Sequence, residues 1–133
     1  MLKNIKIELL RYYHINFMEK LKSLYSFECN IDNLDLTKNF IYVLELVEKR
    51  YYIGRTSNIV QRIAKHFTGN GAVYTKFFLP IKVIEVIEEK TKEDEKIKTL
   101  EYMSKFGWEK VRGYCWCSRE LLNPPKNLHS ELL

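Results

Sequence analysis

The chain has 133 residues, 46% of them hydrophobic and 29% charged, which is enough apolar material for one packed domain and excludes a disordered chain. Its 22 Lys and Arg against 17 Asp and Glu leave a net charge of +5 and a pI near 9.0, a balance that favours polyanionic partners. Three cysteines are an odd count for a disulfide framework and suit a reducing, intracellular setting, and no stretch reads as a signal peptide or membrane span.

Ile5, Leu9, Tyr13, Phe17 and Leu21 recur at i+4 steps among Lys and Glu, which predicts an amphipathic helix over residues 3–27. Its stripe must be buried, against the rest of the chain, a second copy in a dimer, or a targeting partner. Residues 28–39 collect Asn and Asp and read as a loop. Residues 40–47 are apolar at nearly every position, as in a strand covered on both faces. Glu48, Lys49 and Arg50 form a polar turn, and residues 51–54 begin the second strand of a hairpin.

A helix follows, capped by Asn58 with Gln61 three positions on. Ile59, Ile63 and Phe67 are its apolar stripe, and Gly69-Asn70-Gly71 stops it. Residues 81–87 read as a third strand, and 88–96 as a charged, solvated run. The next helix turns Ile97, Leu100, Met103 and Phe106 inward and ends at Gly107. Residues 111–117 read as a short strand or extended segment, and the chain after Asn123-Pro124-Pro125 as loose tail. The expected division is a helical extension and loop at 1–39, a domain at 40–122 and a tail at 123–133.

Asn58, Arg62 and His66 stand four residues apart and share one stripe beside the buried one. Arg62 suits a phosphoryl oxygen through its planar fork, and His66 can accept or relay a proton. Upstream, Tyr42 and Tyr52 lie on the two strands of the hairpin, ten residues apart, and a further ten lead to Arg62.

This order resembles the GIY-YIG nuclease superfamily. Phe40-Ile41-Tyr42 stands for the first triplet, Tyr52-Ile53-Gly54 for the second, and the segment from Gly54 through Arg62 to His66 completes the pattern. Phe40 replaces the family's first glycine, from which an effect on strand shape and no loss of chemistry is expected. The resemblance runs from Phe40 to about Phe106. It implies an α+β fold: a small three-stranded, mainly antiparallel sheet flanked by helices, here with an extra N-terminal helix.

The resemblance further implies a metal-dependent endonuclease that hydrolyses DNA phosphodiester bonds, of structure-specific, restriction or repair type. A non-catalytic nucleic-acid-binding module on the same fold is the alternative. Tyr42, Tyr52, Arg62, His66 and Glu101 are the implied catalytic residues. Glu101 would hold one Mg²⁺ (or Mn²⁺), with Glu95 or Glu93 as shifted counterparts. Tyr42 would position or deprotonate the attacking water, with Tyr52 or His66 assisting. Because an ordinary phenol is a poor base at neutral pH, Arg62 and the metal would have to lower its pKa. A late asparagine, Asn123 or Asn127, would complete the site.

Arg55, Asn58, Lys65, Lys76 and Arg112 are the expected DNA contacts, forming a basic rim. Residues 69–76, read as a flexible glycine loop ending in Tyr74-Thr75-Lys76, would let backbone amides and Lys76 approach the phosphates, or serve only as a helix stop and linker. The aromatics of residues 107–114, with Lys110 and Arg112 among them, could stack on unpaired bases, although core packing of Trp108 and Trp116 is the stronger expectation. A zinc site at Cys115 and Cys117 would need two further ligands from Cys29, His14 or His129.

Overall fold

The computed structural model describes residues 18–126 and residue 128. Residues 18–24 are helical (α1). They are followed by β1 (Phe40–Leu46), β2 (Arg50–Thr56), α2 (Ile59–Phe67), α3 (Val73–Phe77), β3 (Pro80–Glu88), α4 (Asp94–Phe106) and β4 (Val111–Gly113). The sheet order is β3-β1-β2-β4; β1 runs antiparallel to both neighbours, and β4 lies parallel to β2 after the α4 crossover.

β1 is apolar on both faces because it is central. Phe40, Tyr42, Leu44 and Leu46 pack with Met18, Leu21, Ile59, Ile63 and Tyr74 on one side. Ile41 and Val43 pack with Leu100, Met103 and Val111 on the other. Each such fully buried side chain contributes about 1.5–3 kcal/mol. The turn between β1 and β2 is a short 3-10 segment (Val47–Lys49) with Glu48 and Lys49 both at positive φ. In α2, the Asn58 side chain accepts from the Gln61 amide at 3.1 Å, as the cap signal predicts.

The sheet has four strands, where three were expected. β4 is only three residues long and pairs in parallel, so it leaves no alternating apolar signature in the sequence. Part of the expected loop at 28–39 and of the end of the first helix lies along the sheet instead. Phe27 bridges to Val83, Glu28 N–H donates to Val83 O at 2.9 Å, and Ile31 is buried. Of the first helix's stripe, Ile5, Leu9, Tyr13 and Phe17 lie outside the described residues, while Leu21 is buried.

The stretch after Gly71, expected as flexible loop, forms α3, because Tyr74 and Thr75 are pulled into the core. Helix α4 begins inside the expected solvated run, where Asp94 accepts from the Lys90 and Thr91 amides at 2.6 and 3.0 Å. Its inward residues are Thr99, Leu100, Tyr102 and Met103. Ile97 and Phe106, expected inward, are exposed, and Phe106 stacks on Tyr51 with centroids 4.3 Å apart. Leu128, within the expected tail, packs into the α4 cluster. Among the described residues no helix is long and apolar enough to cross a membrane.

Candidate active site

The face of the sheet under α2 and α3 gathers Tyr42 from β1, Tyr52 from β2, and Arg62 and His66 from α2. Even-numbered residues of β1 point to this face. The α2 stripe one step round from Ile59 and Ile63 therefore meets the Tyr42 hydroxyl. Tyr42 Oη lies 2.6 Å from His66 Nε2, and Arg62 Nε–H donates to the same oxygen at 3.0 Å. The Tyr52 ring lies against both, with centroids 6.4 Å from Tyr42 and 5.2 Å from His66.

Two glycines make this convergence possible. A Cβ on Gly54 would lie 2.2 Å from Tyr42 Oη, and one on Gly71 would lie 2.4 Å from His66 Nδ1. Any larger residue at either place would displace a site side chain. The Gly69–Gly71 loop thus shapes the His66 pocket, whatever its amides do at a phosphate.

The far nitrogen of His66 fixes the direction of the whole chain of hydrogen bonds. Nδ1 lies 3.0 Å from Thr75 Oγ1. Thr75 Oγ1–H already donates to Ala72 O at 2.8 Å. A hydroxyl has one proton, so Thr75 accepts from His66, and the imidazole proton sits on Nδ1. Nε2 is then a bare acceptor, and Tyr42 donates to it. Arg62 supplies a proton to one Tyr42 lone pair and leaves the other open. Thr75 carries no recognisable signal in the sequence, since its partners are set by α3.

Electrostatics follow the same geometry. His66 is 1% exposed, and burial, reinforced by the nearby Arg62 charge, holds its pKa down at about 3, so the ring is neutral. Burial pushes the Tyr42 phenol well above its ordinary value, helped by Tyr52, and Arg62 offsets only part of this. Tyr52 is raised for the same leading reason, with Cys117 adding to it. The expected lowering of the tyrosine pKa is therefore not found in the free protein; Tyr42 is a protonated phenol. For Arg62, burial opposes the charge, but the Tyr42 and Tyr52 oxygens prevail and raise its pKa.

Helix α4 turns Glu95 to this cluster, and Glu101 is not brought with it. Glu95 is half-buried and acts electrostatically on Tyr42, Tyr52, Arg55 and Cys117. Burial raises its carboxyl, Arg55 pulls it down and Glu89 pushes it up again. Glu101 is 54% exposed and pairs with Lys98 at 3.5 Å. Six residues on from Glu95, it lies about 120° round the helix. The inward register through Thr99 and Tyr102, not Ile97 and Phe106, accounts for the difference. Glu93, the other counterpart, is exposed.

The expected DNA contacts divide. Lys65 and Lys76 are exposed. Arg55 is exposed but engaged in an ion pair with Glu89. Asn58 uses its side-chain oxygen to cap α2. Arg112 is buried among backbone carbonyls. It is 2% exposed, and its guanidinium donates to the carbonyls of Ser118 (2.6 Å), Val111 (2.9 Å), Trp108 (3.1 Å), Arg119 (3.1 Å) and Glu109 (3.2 Å). Arg112 thereby stitches the loop after β4 to the segment before it. Cys115 and Cys117 are free and exposed, and Asn123 is exposed; Asn127 lies outside the described residues.

Among the described residues no group of three or more His, Cys, Asp or Glu could hold a metal. A lone hard carboxylate such as Glu95 fits a divalent cation that keeps most of its waters, as Mg²⁺ does, and does not fit zinc.

The family model for the GIY-YIG catalytic domain matches residues 38–107, just over half of the chain. Among curated relatives, a UPF0213 protein of Streptococcus pyogenes serotype M3 is 42% identical over 55 residues, covering 40% of this chain and 60% of its own length. The UPF0213 protein YsiG of Lactococcus lactis is 36% identical over 59 residues, covering 44% of this chain and 57% of its own. The chain thus spans about 60% of the length of the curated relatives it matches. No solved structure matches it significantly.

Proposed function

Since the chain belongs to the GIY-YIG family of catalytic domains, a family made up generally of nucleases, we propose that it is a divalent-metal-dependent endonuclease hydrolysing DNA phosphodiester bonds. The observation that carries this reading is the directed chain Arg62–Tyr42–His66–Thr75, with the Glu95 carboxyl close enough to act electrostatically on Tyr42.

A water hydrogen-bonded to Tyr42 Oη can pass its proton to that oxygen while the phenol proton moves to His66 Nε2. Tyr42 then never has to ionise, which its raised pKa would resist. The histidine's low basicity comes from burial and from Arg62. A phosphate bound to Arg62 cancels the second of these, so the base strengthens when substrate arrives. Arg62 holds a non-bridging phosphate oxygen and stabilises the added charge of the pentacoordinate transition state. Tyr52 closes the side of the cluster. Glu95 would hold the divalent ion, which when bound supplies Lewis-acid stabilisation of the phosphate and leaving oxygen.

Nicking of supercoiled plasmid with and without Mg²⁺ tests the proposal. Metal-dependent nicking, lowered on the order of a hundred- to a thousand-fold by Arg62→Ala, is expected. DNA binding without nicking would replace it with a non-catalytic binding module, and undiminished nicking by Arg62→Ala would remove the assigned site.

A further inference from the structure

Helix α3 carries the residue that orients His66, yet little within the helix holds it in place. It has five residues, no side chain caps its N-terminus, and Val73 and Phe77 are exposed. A helix that short has too few internal hydrogen bonds to fix itself, so its position is set by what it packs on. Thr75, which accepts from His66 Nδ1 at 3.0 Å, is only as well placed as α3 is.

Three arginines meet the aromatic side chains of α3 and of Phe78 just after it. The Arg119 guanidinium lies 4.1 Å from the Phe77 ring centroid, that of Arg112 4.9 Å from Tyr74, and that of Arg50 4.0 Å from Phe78. Arg112 is committed to the carbonyls around β4. Of the three, Arg50 also hydrogen-bonds the helix: Nη1 donates to Tyr74 Oη at 3.0 Å, and to Glu109 O at 3.3 Å.

Strand register places Arg50 for this contact. Arg50 pairs with Leu46 and Tyr52 with Leu44, so both side chains lie on the face of the sheet that carries Tyr42. Two residues of strand separate them, roughly 7 Å. A continuous route then leads from Arg50 to Tyr74, along the backbone to Thr75, and from Thr75 to His66.

The placement does not serve the guanidinium itself. Its Nε is buried with no hydrogen-bond partner among the described residues. Glu48 Oε2, at 3.6 Å, is within ion-pair range but too far for a hydrogen bond. An unmade buried donor is unfavourable, so the fold keeps the Tyr74 contact at the expense of another.

We propose that Arg50 is a positioning residue for the His66 proton acceptor. By tethering Tyr74 it fixes α3, and with it the Thr75 oxygen that keeps the imidazole proton on Nδ1. The inference rests on the nuclease reading for its effect on rate, and its effect on the tautomer is measured without DNA or metal.

Tyr74→Phe keeps the buried ring and removes the acceptor of the Arg50 bond. Arg50→Met keeps a long apolar stem and removes the donors. In nitrogen-15 NMR spectra the wild type should show His66 protonated on Nδ1 alone, and both variants a mixture of tautomers. In Mg²⁺, kcat for nicking should fall roughly ten- to a hundred-fold in both, with KM little changed. Arg50→Lys, which can still donate to Tyr74 Oη, should return most of the rate and the single tautomer. The double variant should be no worse than the poorer single one, since the two changes break one bond. If Arg50→Met does not fold, Tyr74→Phe decides alone, because it preserves the core volume. A single Nδ1 tautomer in the folded variants overturns the proposal, whatever the rate does. Mixed tautomers with no nicking by any form, wild type included, uphold the positioning role and remove the nuclease reading instead.

Discussion

The Thr75 hydroxyl accepts a hydrogen bond from His66 Nδ1 while donating its own proton to Ala72 O, and this pair determines which way the active-site proton chain points. Replacing Thr75 with valine keeps the shape and removes the acceptor. His66 would then have a buried N–H without a partner, at a cost of about 1–3 kcal/mol. Its tautomer would no longer be held with Nε2 bare toward Tyr42. The expected outcome is a fall in kcat with KM little changed, and a mixed tautomer population in nitrogen-15 NMR spectra of the imidazole. Thr75→Ser should restore both. Unchanged kcat and a single tautomer in Thr75→Val would contradict the assigned direction.

Glu95 and Glu101 offer a contrast on one helix. If the carboxylate facing Tyr52 is the metal ligand, Glu95→Gln removes the charge that anchors the cation, and Glu101→Gln alters only a surface pair with Lys98. Isothermal titration with Mn²⁺ should show affinity weakened more than about ten-fold by the first change. The second should be indistinguishable from wild type. The reverse ranking would return the metal to Glu101.

How far the sequence reveals the site depends on how local each determinant is. Tyr42, Tyr52, Arg62 and His66 are legible because strand alternation and helical periodicity place them within one 25-residue segment, and the fold merely joins the two patterns. Glu95 is less so: its inward aim depends on the rotation of α4, and Thr99 and Tyr102, not Ile97 and Phe106, take the core positions. Apolarity alone finds Leu100 and Met103 but misses Thr99, which can satisfy its hydroxyl on Glu95 O at 2.7 Å and so be buried cheaply. The surroundings of Arg112 are hidden for a related reason, since the carbonyls it bonds come from both sides of β4 and carry no side-chain signal in the sequence. α3 is invisible to periodicity, being five residues long, and β4 is the first three residues of the segment read as a short strand or extended chain, too short to show its parallel pairing.

Arg112 should behave as a structural residue. Lysine has three donors in place of the five of the guanidinium fork and cannot span carbonyls from Trp108 to Arg119. Arg112→Lys should therefore lower unfolding free energy by about 2–4 kcal/mol in urea titrations, given ~1.5–3 kcal/mol for a charged hydrogen bond. The salt dependence of DNA binding should keep its wild-type slope, because no phosphate contact is lost. A slope reduced by about one, with stability intact, would restore Arg112 to the DNA interface.

His66 also predicts how stability responds to acid. Its folded-state pKa of about 3 lies below the 6.5 of the free side chain, so the unfolded chain binds a proton that the folded chain refuses. This contribution is complete above pH 6.5 and is lost as the pH falls toward 3. The limiting slope is about 1.4 kcal/mol per pH unit, shared with any other groups that titrate there. Chemical denaturation of the wild type and His66→Gln at pH 7.5 and 4.5 separates the share due to His66. The wild type should lose more stability between the two conditions than the variant, and equal losses would mean that His66 is already charged or solvated in the fold.

Gly54 and Tyr42 face each other across the β1–β2 ladder, and the missing Cβ is what admits the phenol. An alanine methyl at 54 would lie within 2.8 Å of Oη, Cζ and Cε1 of Tyr42, a contact that a rigid central strand cannot relieve by backbone movement. Gly54→Ala should destabilise by about 1–3 kcal/mol and move the Tyr42 hydroxyl off His66 and Arg62, lowering nicking with it. Tyr42→Ala alone should also destabilise, by leaving a cavity. In the double variant the methyl enters part of the space the phenol leaves, so the two penalties should sum to more than the loss measured for the pair. A double-mutant cycle in urea reads this coupling directly. Additive penalties would show that the strand can absorb the methyl, and that Gly54 is required at this position for some reason other than the room it gives Tyr42.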